Sequence, residues 1–243
     1  MRTTNPVLNA KTFANVQRAE GTPAMTLEGT VNRTAFLLLI VIATATWTWM
    51  EAFIGAPIEG YLLGGLAGGF VVGLVTVFAP GIARFSAPVY AALQGLALGA
   101  ISAIYEAQFK GIVIQAVALT FGVLVALLIV YRLRIIPVTQ NFKLGVCAAT
   151  GAIAIFYLVA IGLSFAGVRV GMLHEGSWLG IGFSLFVITI AALNLVLDFD
   201  FIEQGVEQGA PKHLEWYAAF GLVVTLIWLY VAILRLLSKL RSR

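Results

Sequence analysis

Charge, cysteine and histidine are all scarce in this chain, and each shortage excludes something. The single cysteine, Cys147, rules out a disulfide within the chain. It lies in the apolar run L-G-V-C-A-A and reads as a small core side chain. The two histidines, His174 and His213, both fall in polar connectors. No His/Cys cluster has metal-ligand spacing, and His174-Glu175 lacks the second histidine of a metalloprotease helix. With the two histidines expected on opposite membrane faces, no serine or cysteine has a plausible base. An enzyme is therefore not expected, and no cofactor is implied. Charged residues make up 11% of the chain, against about 25% in a soluble domain. The formal charge is +4, but the cations sit in short connectors and at the termini. No basic stripe interleaved with aromatics points to nucleic acid.

What the chain has in abundance is apolar length. Hydrophobic residues make up 60% of it, and the mean hydropathy is +0.98. One core of this size cannot hide so much apolar surface, so lipid must be the solvent for much of it. A membrane helix needs roughly 20 apolar residues. Seven stretches qualify: Thr34–Ile54, Gly60–Ala79, Pro88–Tyr105, Ile112–Tyr131, Leu144–Ala166, Trp178–Leu197 and Trp216–Leu237. They are too long for barrel strands and do not alternate at period two. Because lipid offers the backbone no hydrogen-bond partner, they must be helices. The expected fold is an all-α polytopic membrane protein, a seven-helix bundle. Residues 1–33 form a polar N-terminal arm, 34–237 the membrane domain and 238–243 a basic tail. The arm is polar throughout and does not read as a secretory signal, so the first apolar run is expected to stay as a span.

Lysine and arginine set the orientation. With the N-terminus inside, inner segments hold Arg2, Lys11, Arg18, Arg33, Arg84, Arg132, Arg134, Lys143 and Lys212, while outer connectors hold Lys110 and Arg169. The asymmetry favours a cytoplasmic N-terminus. Arg235, Lys239, Arg241 and Arg243 disagree, because seven spans put them outside. Small residues recur four apart at Gly64/Gly68, Gly65/Gly69/Gly73 and Gly95/Gly99. That spacing lets helix backbones approach closely, and packing within one bundle is favoured over dimerisation.

The chemistry concentrates between Asn194 and Tyr217. Asp198, Asp200, Glu203, Glu207 and Glu215 lie there, five of the 11 carboxylates. An ionisable group at the edge of a membrane helix is by default a functional residue. If the sixth helix continues past Leu197, Asn194 and Asp198 share a face, and Asp200, Glu203 and Glu207 share another. Asp198 and Asp200 point in roughly opposite directions, so at most one faces the bundle. Asp198 is the deeper. Carboxylate oxygens suit hard cations such as Ca²⁺, so Asp198 is also the candidate metal contact. Crowded carboxylates share protons, which suits a pH switch. For Asp200, Glu203 and Glu207, a solvated acidic helix end is the competing reading.

These residues resemble the Bax-inhibitor/YccA family of multi-pass membrane proteins, over Gly29 to Leu237. The sixth-helix exit, D-F-D-F-I-E-Q-G-V-E-Q-G ending at Gly209, carries the likeness. The last helix closing in L-R-L-L with a basic tail supports it. The motif M-T-L-E-G-T-V-N-R before the first span looks like a bacterial branch. The resemblance implies six helices around a central seventh, in a bacterial inner membrane. It implies a pH-sensitive calcium leak, with an aspartate pair at the cytoplasmic mouth and an arginine that latches it. The first aspartate maps onto Asp198 and the arginine onto Arg84. The second should fall near Val223 to Thr225, where this chain has no carboxylate; Asp200 and Glu215 are the substitutes within reach. The alternative is a regulatory protein that binds a membrane protease or a stress-response partner through its N-terminal arm. The expected partners are thus the bilayer, calcium or protons, and a protein at the arm, with a monomer favoured over a dimer.

Overall fold

The computed structural model describes residues 23–165 and 177–242. Most of the N-terminal arm, His174 and Arg169 lie outside the described residues. Among those described there are seven helices long and apolar enough to cross a membrane. They are α1 Leu27–Phe53, α2 Glu59–Phe78, α3 Ala83–Gln108, α4 Ile112–Arg132, α5 Gln140–Phe165, α6 Trp178–Glu207 and α7 Leu214–Arg241. All seven expected spans are present as helices, and several run further than their apolar cores. α1 starts at Leu27 inside the polar motif, because Thr26 caps it: its hydroxyl accepts from the Gly29 amide at 3.0 Å. A hydroxyl at this position satisfies one of the amides a helix start leaves open. α3 starts at Ala83, after a 3₁₀ turn over Pro80–Ile82, and carries Pro88 inside it. Pro88 is therefore not the start of the span. Its second-turn position costs a single backbone hydrogen bond, to the carbonyl four residues back.

α6 extends beyond its apolar run to Glu207 and carries the acidic stretch as helix. It stops at Gly209, whose φ of 65° lies in the left-handed region that glycine enters without penalty. The Gly209 amide donates to the Val206 carbonyl and the Ala210 amide to the Gly205 carbonyl, at 3.0 and 2.9 Å. These two bonds satisfy carbonyls that the helix end would otherwise leave open.

The chain divides into two compact units. Among the described residues, the first contains 23–110 together with Asp198–Val224; the second contains those of Gly111–Leu197 and the chain from Thr225. In the first, α3 packs on both α1 and α2, and glycine makes the approach possible. A Cβ on Gly65 would stand 2.5 Å from the Leu93 carbonyl oxygen, and one on Gly69 2.5 Å from Gln94 Nε2. One on Gly95 would stand 2.5 Å from the Val41 carbonyl oxygen. The Gly65/Gly69/Gly73 and Gly95/Gly99 rows thus serve packing inside one chain, whereas a Cβ on Gly64 would meet nothing within 4 Å. Thr76 and Ser86 link α2 to α3 with a buried 2.8 Å hydrogen bond. Tyr90 meets Phe220 of α7 edge-to-face, with centroids 4.8 Å apart.

In the second unit, Ile153 of α5, Val187 and Ile190 of α6 and Ala232 of α7 form a core. Asn194 Nδ2 donates to Thr150 Oγ1 and to the Ile190 carbonyl, both at 2.8 Å. The faces left over are apolar and open, as with Phe70 at 68% and Leu158 at 69% exposure. Such faces belong against lipid. α7 is the most buried span, with 56% of its apolar window buried against 17% for α1, α4 and α5.

Candidate functional site

The acidic stretch divides by depth. Asp198 is fully buried, at 0% exposure, while Asp200 and Glu203 are half-buried and Glu207 is exposed. Asp200 is held within its own helix, accepting from Gln204 Nε2 at 2.6 Å one turn on. Asp198 follows the buried Leu195, Val196 and Leu197 and lies about two and a half turns before the helix end. A carboxylate at that depth is costly when ionised unless a proton, cation or donor compensates it.

Arg84 is exposed at the start of α3, with its guanidinium 5.8 Å from the Phe85 ring centroid. It makes no ion pair among the described residues. An arginine–carboxylate pair lies elsewhere: Arg33 of α1 binds Glu215 of α7. Glu215 is also at 0% exposure. Its Oε1 accepts from the Thr26 amide at 2.9 Å and the Thr26 hydroxyl at 3.0 Å, and Arg33 takes Oε2. Arg33 also donates to the Gly29 carbonyl at 2.9 Å and lies 5.3 Å from the Trp216 ring centroid. Gly29 leaves the carboxylate its space: a Cβ there would sit 2.6 Å from the Glu215 carboxyl carbon.

Local backbone pairing brings these groups together. Residues Pro23–Met25 run antiparallel to Ala210–Lys212, with Met25 donating to Ala210 at 2.6 Å and Lys212 to Pro23 at 3.0 Å. Met25 is buried beneath. Pro211 and Gly209 hold the connector in position, and Glu215 falls in the first turn of α7, where the helix dipole favours a negative charge. At Val223 to Thr225 the chain places buried Val223 and Thr225 and no carboxylate.

The motif M-T-L-E-G-T-V-N-R thus assembles a site in which Thr26, Gly29 and Arg33 all meet Glu215. Composition alone counted Arg33 as one more inner cation. The signal that would have found it is the i, i+4 pair Gly29/Arg33 behind a Thr cap, which sets a small gap and a charge on one helix face.

A family model described as Bax inhibitor 1 like matches residues 5–242. The chain belongs to that family. No curated protein and no solved structure matches it. As a member of the Bax inhibitor 1 like family, the protein is a multi-pass membrane protein whose seven apolar helices require a bilayer.

Proposed function

We propose that the protein is a pH-responsive leak for a hard cation, calcium first, in a bacterial inner membrane, with its N-terminus in the cytoplasm. The observation that carries the reading is the complete burial of Asp198 inside a membrane helix. A carboxylate there is either neutralised by a proton or kept charged by a cation or a donor, and proton and cation compete for the same oxygens. Oxygen ligands suit Ca²⁺. Asp200, Glu203 and Glu207 continue down the same helix toward water and supply a negative approach to it. Acid fills Asp198 with a proton, removes its charge and changes the cation flux. The excess of Lys and Arg in the inner segments supports the orientation.

Calcium entry into dye-loaded vesicles containing the purified protein tests this. Wild-type protein is expected to give a flux that changes with pH, and Asp198→Asn a flux that no longer does. A pH response that survives Asp198→Asn refutes the assignment.

A further inference from the structure

Glu215 is a buried ionisable group that the leak mechanism leaves unused, and it is tied to three groups on one segment. We infer that Arg33 and Glu215 form a clasp that fixes the start of α7 to the start of α1 and holds the α6–α7 mouth closed. This inference rests on the leak reading for the word "closed"; the clasp itself stands on geometry alone.

Every donor in the clasp comes from the chain between Thr26 and Arg33, and the acceptor comes from α7. The Thr26 hydroxyl serves twice. It accepts from Gly29 to cap α1 and donates to Glu215 Oε1, so helix start and carboxylate are fixed by one oxygen. Arg33 closes the other side and lies against Trp216, the residue after Glu215. Charge-assisted contacts of this kind are stronger than neutral ones. The remaining charged neighbours in the chain, Glu28, Lys212 and His213, are exposed. The connector clamped between Pro23–Met25 and Glu215 leads directly out of the α6 exit that carries Asp198, Asp200, Glu203 and Glu207. That exit and the first turns of α7 belong to the same compact unit as α1. Releasing Glu215 therefore frees the connector and, with it, the end of the helix that bears Asp198. In this chain the charge that steadies the last helix is placed in its first turn, while the expected position near Val223 is apolar.

The test is cross-linking and flux on the full-length protein in vesicles. Ala24 and Pro211 face each other in the antiparallel pair. Their non-hydrogen-bonded geometry puts the Cα atoms about 4.5 Å apart, within disulfide range. In a Cys147→Ser background, Ala24→Cys with Pro211→Cys is expected to cross-link readily under mild oxidation. Glu215→Gln removes the negative charge and turns one of its two acceptor oxygens into a donor facing Thr26 or Arg33, and Arg33→Gln removes the positive charge. Each is expected to slow cross-linking about tenfold and to raise calcium flux. Gly29→Ala keeps every charge but pushes a methyl into the carboxylate, so it is expected to act in the same direction. It also decides the matter if a charge variant fails to insert.

Cross-linking that stays at the parent rate in the variants overturns the clasp. Slower cross-linking with unchanged flux, in protein that conducts, overturns its role in closure. Wild-type protein that conducts nothing sinks the leak reading, and the cross-linking rates alone then decide the clasp.

Discussion

Gly64 and Gly65 are neighbours in α2 and should respond to the same substitution with opposite signs. A Cβ on Gly64 would meet nothing within 4 Å, whereas one on Gly65 would lie 2.5 Å from the Leu93 carbonyl oxygen, 2.8 Å from the Ala97 amide and 2.9 Å from the Ala97 Cβ. Ordinary van der Waals contact lies at about 3.5–4.0 Å. The Gly65 methyl therefore needs about 1 Å that the backbone of α3 must yield. No flexible side chain is available to swing away, since two of the three obstructing atoms are main-chain. The helices have to separate along the face that also carries Gly69 and Gly73.

Overpacking of this kind costs about 1–3 kcal/mol. Against it, alanine recovers roughly 0.5–1 kcal/mol of the backbone entropy that glycine loses in a helix. Gly64→Ala keeps only that gain. Because both variants share the alanine gain, they should differ in stability by about 1–3 kcal/mol, with the wild type between them or level with Gly65→Ala. Denaturation in mixed micelles, followed by fluorescence of the five tryptophans, reads the difference. Equal stability of the two variants refutes the claim that α2 packs on α3 through the Gly65 row. A destabilised Gly64→Ala with a neutral Gly65→Ala would place the opposite face against α3.

Asn194→Leu should destabilise the second unit by about 0.5–1.5 kcal/mol, the range for hydrogen bonds between membrane helices, because it removes the bond from α6 to Thr150. The same denaturation assay measures it, and an unchanged midpoint rejects the bond's contribution. Tyr157→Phe removes the hydroxyl that accepts from Arg235 at 2.8 Å but keeps the ring 5.3 Å from the guanidinium. A loss of about 1.5–3 kcal/mol is expected, as for a bond to a charged group, with Tyr157→Leu losing more. Phenylalanine and leucine of equal effect would remove the ring contact from the account.

Spans were legible in the sequence because hydrocarbon thickness sets a length that few other structures need. Glycine rows were legible for a similar reason: only close backbones require them, and a Cβ on Gly65, Gly69, Gly95 or Gly99 would come within 3 Å of a neighbouring helix. Helix ends were harder, because they depend on local capping rather than on hydropathy. Leu27 joins α1 although it stands in a polar segment, since Thr26 supplies the missing acceptor. The depth of Asp198 could be inferred from the three aliphatic residues before it. The pairing of Glu215 could not, because its partners lie 189 positions away for Thr26 and reach it through a strand-like pairing of two connectors. Hydropathy does not encode that. Arg84 illustrates the same limit: a cation near the right membrane face has no sequence signal for whether it turns inward or lies over Phe85.

The cations of the last helix are where a rule about loops meets a rule about packing. Arg235, Lys239 and Arg241 count against the orientation that the rest of the chain supports, if they are treated as free charges at a membrane surface. In the second unit they are engaged instead. Arg235 binds the Tyr157 hydroxyl, Lys239 Nζ donates to the Gly180 carbonyl and to Ser184 Oγ at 3.0 and 3.1 Å, and Arg241 binds Gln115 at 2.9 Å. Lys239 is 3% exposed. It lies in the last turn of α7, where the helix dipole favours a positive charge. Its two acceptors lie on the first turns of α6, so it ties the end of one span to the start of another. Side chains used this way answer to helix packing as well as to the surface potential, so their number is a weak guide to which side they occupy. Replacing Arg235 and Lys239 by glutamine should therefore lower stability without reversing the orientation of the chain, which reporter fusions at the two termini would read. A reversed orientation in that variant would show that these cations had been setting the topology after all.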